Sequence, residues 1–452
     1  MINGKIELYE NFIKFPNVNE KTSVMAHLVY ITPNVGNIIE HAGRTCYRSF
    51  NNIKEDSYKT FISGIVKSGH ESVIEHSNMV YVILKAQHKD IKADSNNINR
   101  FLINLMMYNG LITVTENQAF YVLSGNIRMF KDLVREYVRI KAINNKNNPI
   151  IDNIMNSFYT LPEYFFIDMV NDGILAKDKF KLDPHFKESN NEMPEIVLNK
   201  YVTVINHDKF SFAVRGFITK NDGVDNSAHR ISIPSAVLRK HNRITLVIDA
   251  PRYITHQIVR HRLASYSQVS QRYCLEEGLN IYVPEAIKAN PAANATANML
   301  YKNALDTYKA LIDEDIKKED ARSVLTNAQM STIVMTATVE EFDHFINVRA
   351  DKAAQNFIRD EIAVPLKEYL ERYYAPENKS KTNTKVTYTH KSTKYNQKQQ
   401  RKKEVADKGN GKKYRNNNQQ VKNKQQKGTK PNNNNNKNKF NPKGKSFNSK
   451  KK

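Results

Sequence analysis

After Pro376 the chain stops supplying apolar residues and continues as Lys, Asn and Gln with almost no aliphatic side chains, including the uninterrupted run Asn432 to Asn436. Such a segment cannot bury enough apolar surface to offset the entropy of ordering its backbone. Residues 377–452 are therefore predicted to be disordered, and any fold must be built from 1–376. The charge divides at the same place. Residues 377–452 carry 24 Lys or Arg against 3 acids and the remainder 45 against 43, so the tail holds nearly all of the formal net charge of +23. A flexible basic tail can hold RNA or DNA electrostatically, with an affinity that falls as salt rises. The same composition equally suits a solubility or localisation tail. The near-neutral body excludes a polyanion-binding surface spread over the whole molecule.

Hydrophobic residues make up 40% of the chain, enough for a sizeable core in one large domain or two. Cys46 and Cys274 are too few for a disulfide framework and lack zinc-ligand spacing, which suits a reducing cytoplasm. The start, MINGKIELYENFIKF, has neither the basic opening nor the apolar run of a secretory signal. Nowhere do about eighteen apolar residues run together, so no membrane span is expected.

Periodicity predicts a strand over 25–32, helices over 34–46 and 56–68, a turn at Gly69 leading into HESVIEH (70–76), and an alternating strand over 78–84. Residues 85–240 read less clearly, with Asn-rich breaks at 96–99 and 144–148, a turn signal at Ser124-Gly125-Asn126 and a helical pattern over 127–141. Beyond Arg243 come a strand over 244–248 stopped by Pro251, a segment over 253–259, and helical patterns over 298–313 and 320–329. A longer helical pattern over 339–373 is interrupted near Asp351 and at Pro365. The mixture is α/β in character, and no internal repeat is visible.

The segment HQIVRHRLASYSQVSQRYC (256–274) concentrates three Arg, two His, three Gln and three Ser between short apolar positions. Guanidinium forks suit bidentate contact with phosphate, and Arg260 and Arg262 would share a face of an extended stretch. Ser265, Ser267, Ser270 and Arg272 add donors along the following loop. Composition alone fits a phosphate or nucleotide site and equally a solvated basic loop or a salt-bridge cluster. No Gly-x-Gly-x-x-Gly occurs, so any dinucleotide must bind without a Rossmann loop.

The order Arg260-His261-Arg262, seven residues, then Ser270 resembles the signature of flavin-dependent thymidylate synthases. Upstream, HESVIEH resembles that family's His-Glu-Ser/Thr-x-x-Glu-His element, and Arg44-Thr-Cys-Tyr resembles its early helix end. Downstream, Ala321-Arg322-Ser-Val-Leu and His344-Phe-Ile-Asn-Val-Arg349-Ala-Asp-Lys-Ala-Ala-Gln355 resemble its two later elements. These occur in the family's order over roughly 25–84 and 243–373. The resemblance implies an α/β (α+β) fold with a mainly antiparallel sheet flanked by helices. It also implies a homotetramer with active sites at subunit interfaces, and a catalytic domain over 1–376 in which 85–240 is an insertion. The implied activity is a cytoplasmic methyltransferase converting dUMP to dTMP, in which NADPH-reduced FAD supplies the hydride and methylenetetrahydrofolate the carbon. No enzyme thiol attacks the uracil in this family, which agrees with two cysteines that lack a nucleophile's setting.

Carried over residue by residue, the resemblance makes Arg349 the catalytic arginine, a fixed cation that stabilises negative charge developing on the pyrimidine. It implies dUMP binding by Gln257, Ile258, Val259, Arg260, Gln268, Val269, Ser270, Gln271, Arg272, Arg322 and Arg349. It implies FAD contacts from Ser72, Glu75, Arg260, His261, Arg262, Leu263, Gln268 and His344, with His70 near the flavin ring and the folate or nicotinamide, and no metal. The bland alternatives are that Arg349 is a helix-surface arginine paired with Asp351 or Asp343, and that His70 and His76 are buried, satisfied histidines. The chain departs from the family at His344, where asparagine is common, at Ala353, where some members have histidine, and at Thr338-Val339-Glu340. That last stretch often carries Asn and Arg that contact the flavin. Two other functions stay open. One is a nucleic-acid-binding protein with a degenerate synthase-like domain. The other is a metal-dependent hydrolase built on His70, Glu71, Glu75 and His76, although neither His-Glu-x-x-His nor its inversion is present.

Overall fold

The computed structural model describes residues 26–84, 112–116, 120–144, 149–158, 161–175, 195–208, 235–278 and 280–374. Backbone contacts divide the chain into Met1–Thr382 and Asn383–Lys452, and all described residues fall in the first unit. The expectation of a disordered tail therefore lies outside them.

Nine strands form two antiparallel sheets among the described residues. The first sheet contains β1 (His27–Ile31), β2 (Met79–Leu84), β3 (Thr113–Glu116) and β4 (Phe120–Gly125) in the order β1-β2-β4-β3. The second contains β5 (Ile196–Val197), β6 (Val202–His207), β7 (Arg243–Pro251), β8 (Ala264–Gln268) and β9 (Met330–Thr338) in the order β5-β6-β7-β9-β8. The helices are α1 (Val35–Tyr47), α2 (Ser57–Lys67), α3 (Ile127–Asn144), α4 (Pro149–Ser157), α5 (Ile167–Asn171), α6 (Ser235–His241), α7 (Arg252–Ile258), α8 (Glu285–Lys288), α9 (Pro291–Asp313), α10 (Lys318–Ala321), α11 (Val339–Arg349) and α12 (Val364–Tyr373). This is the expected α/β fold of mainly antiparallel sheet flanked by helices.

Apolar patterning explains where each layer sits. Met79 to Ile83 are buried on both faces, which is why β2 reads as a nearly continuous apolar run. One core joins α1, α2, α3 and the first sheet through Ile39, Ile62, Tyr81 and Phe130; the other joins the second sheet to α7, α11 and α12 through Ile248, Ile254, Phe342 and Leu366. Helices α1 and α2 approach closely because α1 offers glycine there. A Cβ on Gly36 would lie 2.3 Å from the Tyr58 ring, and one on Gly43 would lie 2.3 Å from the Phe61 ring. Helix α2 then ends in a left-handed Gly69 at φ 74°, with Gly69 N donating to Val66 O at 3.1 Å and His70 N to Ile65 O at 2.9 Å. That Schellman-type closure delivers His70 into the tight turn Glu71–Glu75.

The structure corrects several expectations. The helix expected over 320–329 is only α10 and a tighter turn at Arg322–Val324, after which the chain enters β9 at Met330. Pairing with both β7 and β8 makes β9 a central strand, and this tertiary context overrides local helical preference. Strand β8 falls where the chain was expected to form a loop. Near Pro365 the helical path continues but changes type, a π-helical stretch over Phe357–Ala363 passing directly into α12 with the proline in its first turn. Within 85–240, β4 lies beside β2 and β6 beside β7, so the described parts of this stretch belong to both sheets. No repeat is visible in the sequence, yet β1-β2-β4-β3 and β6-β7-β9-β8 follow one pattern.

Candidate active site

Arg349 is the last residue of α11, and its guanidinium reaches the turn after α7. Its Nε donates to His261 Nε2 at 3.1 Å, Nη1 to Gln257 Oε1 at 3.3 Å, and Nη2 to the Gln257 carbonyl at 3.2 Å. It is not paired as a simple helix-surface arginine, since Asp343 is taken by Arg239 and Asp351 Oδ1 accepts from Ala353 N. Burial and the neighbouring Arg260 lower the Arg349 pKa, although an arginine stays charged at neutral pH. Three of its five N–H groups are engaged, which leaves one on each Nη.

His261 is buried against Phe345, with ring centroids 4.8 Å apart, and meets His344 edge-on at 5.8 Å. Burial, then the charges of Arg349 and His344, push its pKa down to about 4. At neutral pH it is an uncharged acceptor for Arg349, and the ring proton then sits on Nδ1, 3.8 Å from Glu341 Oε1. His261, Glu341 and His344 bring three candidate ligand atoms within 4.8 Å of one another. A cation on Nδ1 would need the opposite tautomer, against the hydrogen bond from Arg349, so the cluster is explained as support for the guanidinium.

Arg260 and Arg262 do not share a strand face, because both lie in the turn between α7 and β8, exposed and without a side-chain hydrogen bond or ion pair among the described residues. Leu263 and Val259 are exposed beside them, whereas Ile258 and Val269 are core residues that can offer a ligand only their backbone. Gln268 donates to Thr255 Oγ1 at 2.9 Å and to Ser331 Oγ at 3.1 Å, which ties β8 to α7 and β9.

The following loop is docked on α1. Ser270 N donates to Cys46 O at 2.9 Å, Arg272 N to Ser270 Oγ at 3.3 Å, and Arg48 pairs with Glu276 at 3.1 Å. Gln271 Nε2 is 3.5 Å from Glu276 Oε1. Arg272 and Arg322 converge on Glu319, the first through its carboxylate at 3.3 Å and the second through its carbonyl at 3.1 Å. Burial raises the thiol pKa of both Cys46 and Cys274, so neither is poised as a nucleophile.

The turn Glu71–Glu75 packs against β8, with His70 and Ser72 exposed. His76 is the buried, satisfied histidine, with Nδ1 2.8 Å from Thr336 Oγ1 and Nε2 2.9 Å from Ser267 Oγ. Glu71 meets Lys131 Nζ at 2.7 Å and Arg135 at 3.1 Å, while Glu75 pairs with Arg128. With these three side chains already engaged, the arrangement offers no hydrolytic metal centre, and Glu75 is directed to Arg128 instead of standing free for a flavin. The cations were not anticipated as site-supporting residues. Their spacing on α3 was the available signal, since Arg128, Lys131 and Arg135 fall on one helical face.

The family model described as "Thymidylate synthase complementing protein" matches residues 27–88 and 234–377. The flavin-dependent thymidylate synthase of Geobacter sulfurreducens is 37% identical over 125 residues, covering 26% of this chain and 53% of that protein. That of Pyrococcus furiosus is 31% identical over 160 residues, covering 34% of this chain and 66% of that protein. Over residues 27–88 and 234–377 the chain matches the flavin-dependent thymidylate synthase family. It spans about half to two thirds of the length of these curated relatives. A solved UMP/dUMP methylase from Streptomyces cacaoi aligns at 20% identity over 38% of this chain and 89% of that chain, with a TM-score of 0.31, too low to define a common fold.

The two matched family segments contain every site residue expected from the sequence, from His70 to Arg349. Helix α3, which holds Glu71 and Glu75, lies outside them. No helix among the described residues is long and apolar enough to cross a membrane.

Proposed function

We propose that this chain catalyses the reductive methylation of dUMP to dTMP, as a flavoprotein methyltransferase using methylenetetrahydrofolate and NADPH. The observation that carries the proposal is the Arg349 fork, fixed by His261 and Gln257 and left with one N–H on each terminal nitrogen. Two donors on a held cation suit the polar edge of a uracil ring, where they would stabilise its N3-deprotonated form and so activate the ring carbon. Neutral His261 keeps the guanidinium aimed without adding a competing charge. Arg272, Arg322, Ser270 and Gln271 supply the cations and donors for the nucleotide phosphate, and Gln257, Arg260 and Gln268 flank the base.

The residues fit FAD. Arg260 and Arg262 are exposed guanidinia without a counter-ion among the described residues, and the buried Ser265 Oγ has no partner. This donor set matches the diphosphate of a dinucleotide. Ser72, His261, Arg262, Leu263 and His344 would hold it, with His70 toward the folate or nicotinamide. When bound, FAD reduced by NADPH supplies the hydride, and methylenetetrahydrofolate supplies the carbon. Arg349 holds the pyrimidine and its developing charge, while the loop docked on α1 orients the phosphate and restricts water.

The purified protein should show flavin absorbance, bleach with NADPH, and form dTMP from dUMP only when methylenetetrahydrofolate is present. A protein that cannot be loaded with FAD would overturn the proposal. Homotetramer assembly is supported by the family resemblance alone and nucleic-acid binding by 377–452 by its charge alone; light scattering and salt-dependent RNA binding test these two parts.

A further inference from the structure

The two sheets agree in more than strand order. Ile31 pairs with Met79 and Met79 with Gly125; in the second sheet His207 pairs with Ile244 and Ile244 with Ala337. Strands β1 and β6 bulge at the same place, between Leu28 and Tyr30 and between Val204 and Asn206. Thr113 pairs with Ser124 as Ser265 pairs with Thr336. Strands β4 and β9 each run straight into a helix capped by a side chain, Asn126 accepting from Met129 N at 2.9 Å and Thr338 from Glu341 N at 3.2 Å. These registers equate Thr32 with Asp208, His76 with His241, Thr115 with Ser267, Ser124 with Thr336, and Tyr137 with Arg349.

Contacts between the sheets are reciprocal under that equivalence. His76 bonds Ser267 and Thr336 at 2.9 and 2.8 Å, and its counterpart His241 bonds Thr115 and Ser124, both at 2.7 Å. Thr32 Oγ1 donates to its own counterpart, Asp208 Oδ1, at 3.2 Å. A contact of one residue with a second, matched by the counterpart of each, is the mark of an isologous interface between two copies of one unit.

The copies differ in chemistry. Ser270, Gln271, Arg272 and Arg322 lie between β8 and β9, whereas only residues 117–119 separate β3 from β4. Arg349 is matched by Tyr137. Conversely, Glu71, Ser72 and Glu75 of the first copy are matched by Ala236, Val237 and Lys240. Asn126 and Arg128 stand where the second copy has Thr338 and Glu340. The residues expected at the site are thus divided between the two copies.

We infer that this chain is a fused pair of equivalent units sharing one composite nucleotide–flavin site, with its exchange-related second site blank. The second unit contributes the Arg260–Arg272 segment and Arg349, and the first contributes the His70–His76 turn together with helix α1, on which the nucleotide loop docks. This inference rests on the synthase function proposed above.

Isothermal titration of the full-length chain with FAD, and then with dUMP, counts the sites. One equivalent of each ligand per chain is expected, and Arg272→Ala should weaken all of the dUMP binding, not half of it. Two equivalents per chain, or half of the dUMP binding kept at full affinity in the variant, would overturn the fused-pair inference and leave the synthase function standing. Binding of neither ligand by the wild-type chain would overturn the synthase function and the inference with it.

Discussion

Replacing Lys131 with methionine tests how the candidate flavin-facing turn is held. Lys131 is fully buried, its ammonium 2.7 Å from Glu71 Oε1 and 2.7 Å from Asp168 Oδ1, with those side chains 9% and 20% exposed. Removing one partner of a buried ion pair costs about 3–5 kcal/mol, because the charge left behind has lost both water and its counter-ion. Arg135 softens the loss, since it also reaches Glu71 at 3.1 Å and Asp168 at 2.6 Å. The expected cost is therefore the lower end, about 3 kcal/mol. At about 2.1 cal/mol/K of unfolding entropy per residue, roughly 1–2 °C per kcal/mol for a folded body of this length, Lys131→Met should melt about 3–6 °C below the wild type by circular dichroism. Flavin affinity should fall as well, because Glu71 precedes Ser72 in the turn. A melting temperature within about 1 °C of the wild type, a shift worth less than about 1 kcal/mol, would refute the claim that this ion cluster holds the turn.

Three further outcomes follow from the same structure. Arg349→Ala should keep flavin absorbance and lose at least about a hundredfold in dTMP formation, the scale of removing one stabilising donor group from a transition state; full turnover would show that the catalytic assignment is wrong. Stability should decline as pH falls. His41 and His261 have pKa values lowered to about 4 and His76 and His241 to about 3, all with burial as the first cause. The unfolded chain, with histidine near 6.5, binds more protons below that pH, so the stability these groups contribute is full above about pH 6.5 and is lost progressively toward pH 3–4, at up to about 1.4 kcal/mol per pH unit for each. Comparing urea midpoints of the wild type and His241→Gln between pH 7.5 and 5 isolates one histidine from oppositely acting buried carboxyls such as Asp208; identical slopes would contradict the assignment. Finally, Gly36→Ala forces a Cβ to 2.3 Å from the Tyr58 ring, and should cost about 1–3 kcal/mol by overpacking; an unchanged denaturation midpoint would mean that α1 and α2 can separate freely.

Amino-acid order alone determined the local elements whose cause is local. The helices α1, α2 and α3 and the strands β2 and β7 were legible because their apolar periodicity, turn glycine and proline stops lie within a few residues. The family motifs likewise named Arg349, Arg260 to Arg272 and His70 to His76, since spacing along the chain preserves them. Strands β8 and β9 were not legible. Ser265, Ser267 and Thr336 look polar in sequence, and only their burial against one another and His76 makes them strand residues. The support from Lys131 to Glu71 joins residues 60 apart, and the repeated topology survives in register and hydrogen bonds after nearly all side-chain identity is gone. Pairing across sheets depends on which groups find partners once water is excluded, and this is a property of the assembled interior that no window of sequence contains.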